Sequence, residues 1–263
     1  MEIKTGPAAL AGRHALVTGG GRGIGLAIAA ALLEQGASVT IAGRDKAVLQ
    51  QAAAQLQPKG SVDFIGIDVA DAESVQAAFA QVVQQRGRID ILVNNAGQAQ
   101  SAPFHKTGAQ LWQQMLDVNL SGTFHCTQQV LPGMLQAGWG RIVNVASTAG
   151  LTGYAYVAAY CAAKHGVIGL TRALALEVAS KGVTVNAVCP GYTETDIVRD
   201  AIANIAAKTG RSEEQAKAEL AAVNPQKRLV RPEEVANAVL WLCLPGSSAM
   251  NGQSVAVAGG EVM

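Results

Sequence analysis

Tyr160 and Lys164 stand four residues apart in Tyr160-Cys161-Ala162-Ala163-Lys164. On a helix, side chains at i and i+4 share one face, one turn apart, so this spacing brings a phenol beside an ammonium. A free tyrosine has a pKa of about 10 and exchanges protons poorly at neutral pH. A neighbouring ammonium favours the phenolate and lowers that value. Such a pair can pass a proton to or from an oxygen while a hydride reaches or leaves the carbon that bears it. The same spacing also occurs on ordinary exposed helices, so the accompanying residues decide. Ser147 closes an apolar run ahead of Tyr160, and Asn119 lies in Asp117-Val118-Asn119. Asn94-Asn95-Ala96-Gly97 follows a second apolar run, and Pro190-Gly191 ends a third.

A further chemical feature is Thr18-Gly19-Gly20-Gly21-Arg22-Gly23-Ile24-Gly25. A strand, a glycine turn and an apolar helix start lay a pyrophosphate on the helix N-terminus. The spacing is Gly19-x-x-x-Gly23-x-Gly25, not the commoner Gly-x-Gly-x-x-Gly. Gly19, Arg22, Gly23, Ile24 and Gly25 are therefore the predicted dinucleotide turn. The end of the second strand selects between dinucleotides: an acid there accepts from the 2′-hydroxyl of NAD, whereas an arginine accommodates the 2′-phosphate of NADP. The chain reads Thr40-Ile41-Ala42-Gly43-Arg44-Asp45, so a glycine closes the strand and Arg44 follows. Arg22 could approach the same phosphate, and a guanidinium fork matches phosphate oxygens. The competing reading takes Asp45, about 20 residues after Gly25, as the ribose acid, although Asp45 also stands where the next helix needs an N-cap. NADP is the favoured expectation, with NAD as its alternative.

These residues need elements to hold them. His14–Thr18, Ser38–Ala42, Val62–Asp68, Ile89–Asn94, Arg141–Ala146, Thr184–Cys189 and Ser254–Ala258 read as strands. Runs such as Ile91-Leu92-Val93 are apolar without alternation, which marks a strand covered on both faces. Helical stretches are expected at 24–35, 45–56, 72–86, 108–137, 154–180 and 232–244. Gly36, Gly87, Gly138 and Gly182 follow four of them, where a helix end favours glycine. The alternation predicts an α/β fold: a Rossmann-type, doubly wound, parallel seven-stranded sheet with helices on both faces. The whole chain, 1–263, is expected to form one domain, with no linker or repeat. Residues 192–231, rich in Ala, Glu, Gln and Lys, read as one or two surface helices placed to act as a substrate lid.

Composition excludes other classes. Hydrophobic residues make up 49% of the chain and charged residues 15%, which supports a large core. The net charge of +1 points to no nucleic acid and no anionic membrane surface. No apolar run is long enough to span a membrane, and the segment Met1 to Gly12 carries no secretory pattern. Cys126, Cys161, Cys189 and Cys243 fit neither a zinc site nor a disulfide framework, and buried thiols in the cytoplasm are expected. No His/Asp/Glu cluster has metal spacing, so no metal is expected.

Taken together, the glycine turn, Asn94–Gly97, Asn119, Ser147, Tyr160, Lys164 and Pro190-Gly191 resemble the short-chain dehydrogenase/reductase family in order and over nearly the whole length. The resemblance implies that Ser147 orients and polarises a carbonyl and that Tyr160 gives or takes the proton. It implies that Lys164 binds the nicotinamide ribose and tunes Tyr160, and that Asn119 holds a water linking Lys164 to solvent. Asp68-Val69 would meet the adenine. Asn95, Gly97, Pro190 and Gly191 would line the dinucleotide, with Thr193 and Thr195 closing over it. The resemblance also implies a homotetramer; the alanine- and valine-rich stretches 108–137 and 154–180 fit an interface.

Within the family, Val143–Thr148 and Asn186–Gly191 are similar to ketoreductases of 3-oxoacyl thioesters and polyketides, while 212–235 is similar to 3-hydroxybutyrate dehydrogenases. Between Ser147 and Tyr160 there is no Lys, Arg or His to hold a carboxylate. Leu151, Tyr154 and Tyr156 suggest an apolar wall, which suits a neutral ketone or thioester. Reductases acting on acyl-carrier proteins typically have a basic pair before the fifth strand; here only Arg141 follows Trp139-Gly140, and Lys181 remains a candidate. Ala258 precedes Gly259-Gly260, where many members have Asp. The leading expectation is an NADP(H)-dependent ketone or 3-oxoacyl reductase. An NAD-dependent 3-hydroxyacyl or hydroxybutyrate-type dehydrogenase is the alternative. A non-catalytic dinucleotide sensor would not need Ser147, Tyr160 and Lys164 intact.

Overall fold

The structure is a computed structural model that describes residues 8–263. Residues 1–7, within the segment read for a secretory pattern, lie outside the described residues. Seven strands form one sheet: β1 (His14–Thr18), β2 (Ser38–Gly43), β3 (Val62–Gly66), β4 (Ile91–Asn94), β5 (Gly140–Val145), β6 (Val183–Pro190) and β7 (Ser254–Val257). Their order is β3-β2-β1-β4-β5-β6-β7 and every neighbouring pair is parallel. Chain order therefore reverses at β1, whose neighbours are β2 and β4. The crevice at the carboxyl ends of β1 and β4 is the topological switch point where such sheets bind ligands.

β1, β4, β5 and β6 are buried along their whole length, as their unalternating apolar runs require. Alternate side chains serve opposite layers. Leu16, Leu92, Ile142 and Val185 align in register and pack with Phe79, Val130 and Met134 on the face covered by α3 (Ala72–Arg86), α5 (Gly122–Ala137) and α6 (Ala158–Val178). Val17, Val93 and Val143 point the other way, toward Ile28, Leu32, Val235 and Val239 on α1 (Gly23–Glu34) and α9 (Pro232–Cys243). Full burial of each such side chain contributes about 1.5–3 kcal/mol. α2 (Lys46–Leu56) completes the second layer through Leu49, Ala52 and Leu56.

One polar ladder crosses this core just beneath the switch point. Asn94 Nδ2 donates to Asn144 Oδ1 (2.9 Å) and Thr127 Oγ1 (3.1 Å), and Asn144 Nδ2 donates to Thr171 Oγ1 (2.9 Å). It ties β4, β5, α5 and α6 in one relative position, because leaving a buried amide unpaired costs about 1–3 kcal/mol.

Some element boundaries differ from the sequence reading. The third strand stops at Gly66 instead of Asp68, since the Asp68 carboxylate turns back to accept from the Ala70 N–H (3.1 Å). The stretch 108–137 is not one helix: α4 (Ala109–Leu116) runs into a π-helical turn, Asp117–Ser121, before α5. The stretch 154–180 becomes helical only at Ala158, because Tyr156 takes a left-handed backbone (φ 68°) and its carbonyl accepts from the Ala102 N–H. Gly36, Gly87, Gly138 and Gly182 all have positive φ, as expected of helix ends. The segment 192–231 folds as α7 (Asp196–Thr209) and α8 (Glu213–Ala222), with its own small core of Val198, Ile202, Ala216, Ala221 and Leu229. A parallel bridge between Thr193 and Val230 closes its base.

Candidate active site

The carboxyl ends of four adjacent strands deliver most of the predicted residues to one place. Gly19 follows β1, Asn95 and Gly97 follow β4, Ser147 follows β5, and Pro190-Gly191 ends β6. α6 brings Tyr160 and Lys164 across them on one face, with Lys164 Nζ 5.6 Å from the Tyr160 ring centre. Lys164 is buried and donates to the Val145 carbonyl (2.9 Å), which fixes its ammonium at the end of β5.

Asn119 is placed by the π-helical turn, the kind of insertion that often marks a functional site. Its Nδ2 donates to the carbonyls of Gln98 and Met115 (2.9 Å each), and its Oδ1 accepts from the Gln98 N–H (3.2 Å). The amide thus holds the loop after β4. Gly97 lies in that loop between the two groups: a Cβ there would stand 2.9 Å from Asn119 Oδ1 and 3.7 Å from Lys164 Nζ. Only glycine leaves the approach between them open.

The electrostatics differ from the sequence reading at one point. Burial raises the Tyr160 phenol to about 12; hydrogen bonding from Ser147 pulls in the opposite direction without overcoming it. Burial also depresses Lys164 to about 8. The expected lowering of Tyr160 by Lys164 is not seen: desolvation is the largest cause, and Ser147 supplies the opposing pull. Tyr160 is consequently a protonated acid across the neutral range.

The glycine turn is held shut by Asn95. Its Nδ2 donates to the carbonyls of Thr18 (2.9 Å) and Gly19 (3.2 Å), while the N–H groups of Asn95 and Ala96 both donate to Thr18 Oγ1 (3.0 Å). Gly25 makes the close approach possible: a Cβ there would lie 2.2 Å from the Gly19 carbonyl oxygen. The first turn of α1 has neither a side-chain cap nor an acid, so its N–H groups and positive dipole end are free for an anion. These features fit a pyrophosphate. Thr195, the N-cap of α7, stands over the turn, its methyl 3.2 Å from where a Gly23 Cβ would be. Thr193 is buried and donates to the Gly191 carbonyl (2.9 Å). Val69 is buried against Gly122.

At the end of β2, Asp45 is committed to α2, its carboxylate accepting from Ala47 (3.0 Å) and Val48 (3.2 Å). Arg44 is exposed and makes no ion pair among the described residues. Arg22 is also largely exposed and reaches Asp196 of α7 at 3.5 Å, a tie between the glycine turn and the segment 192–231 that the sequence did not signal.

Of the residues read as an apolar wall between Ser147 and Tyr160, Leu151 packs against the cluster of Val167, Ile168 and Cys189, and Tyr156 is 66% exposed. Tyr154 is half-buried, edge-on to Tyr192 at 6.4 Å, its hydroxyl donating to Glu261 and accepting from Thr148 Oγ1 (2.9 Å). Tyr192 and Glu261 were missed; the sequence gives an isolated acid after Gly259-Gly260 no spacing partner. A second cleft, of about 480 Å³, opens at the opposite ends of the strands, lined by Arg13, His14, Arg88 and Asp90. It contains none of the predicted residues, and its Asp90 is paired with Arg13 and Arg88.

Comparison with known proteins agrees with this geometry. Residues 13–206 match the family model of the short chain dehydrogenases. The chain belongs to the short-chain dehydrogenase family. It is 39% identical over 254 residues to a 3-oxoacyl-(acyl-carrier-protein) reductase of Vibrio cholerae, covering 97% of this chain and 99% of that one. It is likewise 39% identical over 257 residues to a D-beta-hydroxybutyrate dehydrogenase of Cupriavidus necator, covering 96% and 99%. Among solved structures, an actinorhodin polyketide ketoreductase variant with NADPH superposes with a TM-score of 0.92 at 40% identity, covering 95% of this chain and 97% of that one. This member of the family is an NAD(P)-dependent oxidoreductase. Among its described residues no helix is long and apolar enough to cross a membrane, and no group of His, Cys, Asp or Glu could hold a metal ion.

Proposed function

We propose that this dehydrogenase reduces a neutral ketone or 3-oxoacyl thioester to a secondary alcohol with NADPH. One observation carries the substrate reading: the stretch between Ser147 and Tyr160 offers no Lys, Arg or His to hold a carboxylate, which suits a neutral carbonyl compound. Tyr160, raised by burial to about 12, is a protonated phenol at neutral pH that can donate to a forming alkoxide. Ser147 orients and polarises the carbonyl oxygen by donating to it, and Tyr160 supplies the proton to that same oxygen. Lys164, fixed by the Val145 carbonyl, holds the nicotinamide ribose and stabilises charge that develops on Tyr160. Asn119 keeps the loop 95–98 in place, so that Gly97 leaves the approach to Lys164 clear. The bound nicotinamide supplies the hydride.

Gly19, Gly23, Ile24, Gly25, Asn95, Pro190, Gly191, Thr193 and Thr195 form the dinucleotide cradle in this reading, with Asp68 and Val69 at the adenine. Arg44 and Arg22 meet the 2′-phosphate, because Asp45 is spent as a cap and Gly43 offers no acid. The segment 192–231 is the substrate lid, coupled to the glycine turn by the Arg22–Asp196 pair. A carrier-protein substrate is disfavoured by Arg141: it is buried, stacks on Trp139 at 4.6 Å and bonds the Gly140 carbonyl and Ser248, so it is unavailable to an acidic carrier. The active form is a cytoplasmic homotetramer. A panel of neutral ketones and 3-oxoacyl thioesters, assayed with NADPH and with NADH, tests the reading. Turnover with NADPH and at least one neutral substrate is expected; turnover confined to NAD and a free hydroxy acid would replace it with the dehydrogenase alternative.

A further inference from the structure

Glu261 is an acid packed against Tyr154, and nothing in the chemistry above uses it. Its Oε1 accepts from the Tyr154 hydroxyl, which in turn accepts from Thr148, the residue after Ser147. Its Oε2 is buried and has no hydrogen-bond partner among the described residues. That oxygen lies over the cradle: a Cβ on Gly191 would stand 2.6 Å from it and 3.2 Å from Ala258 Cβ. No ion pair among the described residues includes Glu261. Its neighbours are hydroxyls and phenols, and the loop 148–159 supplies no cation. The carboxylate is therefore not neutralised locally, and its charge is felt along the wall. It contributes to raising both Tyr154 and Tyr192, and Tyr192 in turn acts on Tyr160.

We propose that Glu261 is a specificity-determining residue, whose carboxylate, tied to Tyr154 over Gly191, repels anionic substrates and selects a neutral ketone or ester over the corresponding free 3-oxo acid. The inference deepens the proposed reduction of neutral carbonyl compounds and rests on it. Like charges about 10 Å apart at an effective dielectric of about 20 repel enough to change binding roughly tenfold. Discrimination of this kind works by disfavouring the wrong ligand, not by adding a contact to the right one.

The test compares a 3-oxo acid with its ethyl ester, the same skeleton with and without charge, each assayed with NADPH. The quantity read is the ratio of kcat/KM for ester over acid. Glu261→Gln, nearly isosteric and still able to accept from Tyr154, is expected to lower that ratio about tenfold, through a fall in the KM of the acid. Glu261→Asp, which keeps the charge, should retain most of the discrimination. Tyr154→Phe removes the hydrogen bond but not the charge and should leave the ratio high. An unmoved ratio in Glu261→Gln, or an equal fall in Tyr154→Phe, overturns the proposal. If the glutamine variant fails to fold, Glu261→Ala, which removes the charge without placing an amide over Gly191, decides: an unmoved ratio there overturns the role of Glu261. A wild type that prefers the acid overturns the neutral-substrate reading itself.

Discussion

Burial of Lys164 makes stability depend on pH in a calculable way. Its pKa falls from an ordinary 10.5 to about 8 because the folded protein withdraws its ammonium from water. That difference corresponds to about 3 kcal/mol, at ~1.4 kcal/mol per tenfold change in proton affinity. The unfolded chain holds this proton more tightly than the folded one, so stability rises with pH from about 8 towards 10.5. Between pH 7 and pH 9 the gain is about 1 kcal/mol. Cys126, Cys189 and Cys243, raised by burial to about 12, 11 and 12, work in the opposite sense around and above pH 9, as does Tyr160 above pH 10. By pH 9 the three thiols together offset about 1 kcal/mol, so the lysine is read from the difference between wild type and a Lys164 variant, in which the thiols cancel. Lys164→Met fills the same space with an uncharged, unbranched chain. Urea unfolding of both proteins at pH 7 and pH 9 should show the variant more stable at pH 7, with its advantage shrinking by about 1 kcal/mol at pH 9. Curves that keep a constant separation would show that the buried ammonium carries no such penalty, and the argument from desolvation would be wrong.

Tyr160→Phe should lower turnover by ~10²–10⁴ while dinucleotide binding, followed by NADPH fluorescence, persists. Gly25→Ala should cost about 1–3 kcal/mol in a melting assay and weaken dinucleotide binding, since its methyl would meet the Gly19 carbonyl at 2.2 Å. The wild type should bind NADPH roughly tenfold to a hundredfold more tightly than NADH, an order that Gly43→Asp with Arg44→Leu reverses; equal affinities would remove Arg44 from the phosphate contact. Light scattering at micromolar concentration should give a tetramer mass, and a monomer mass would contradict the assembly.

Much of the fold was legible because buried parallel strands announce themselves as unbroken apolar runs. Ile91-Leu92-Val93 had to be central, and it is. What escaped was set by tertiary contact. The π-helical turn at Asp117–Ser121 carries no propensity signal; it is held by the Asn119 bonds to Gln98 and Met115. Tyr156 delays the start of the expected helix through a left-handed backbone that no residue type there favours. At the site, residues with fixed spacing, such as Tyr160 with Lys164 and the glycines of the turn, could be read directly. Tyr192 and Glu261 reach the wall from separate segments, and only folding brings them to Tyr154.

Two readings of the chemistry, ketone reduction and alcohol oxidation, share every residue of the Ser147, Tyr160 and Lys164 set, so that set cannot distinguish them. The surroundings bear on the substrate. An enzyme acting on a free hydroxy acid needs a cation for the carboxylate. No Lys, Arg or His stands between Ser147 and Tyr160, and Tyr154 of that stretch holds the carboxylate of Glu261. The raised phenol concerns the proton and not the substrate charge, and it serves either direction, since the group that donates in reduction accepts in oxidation. A substitution at Glu261 should accordingly alter the preference between acid and ester without changing the dependence of turnover on Tyr160.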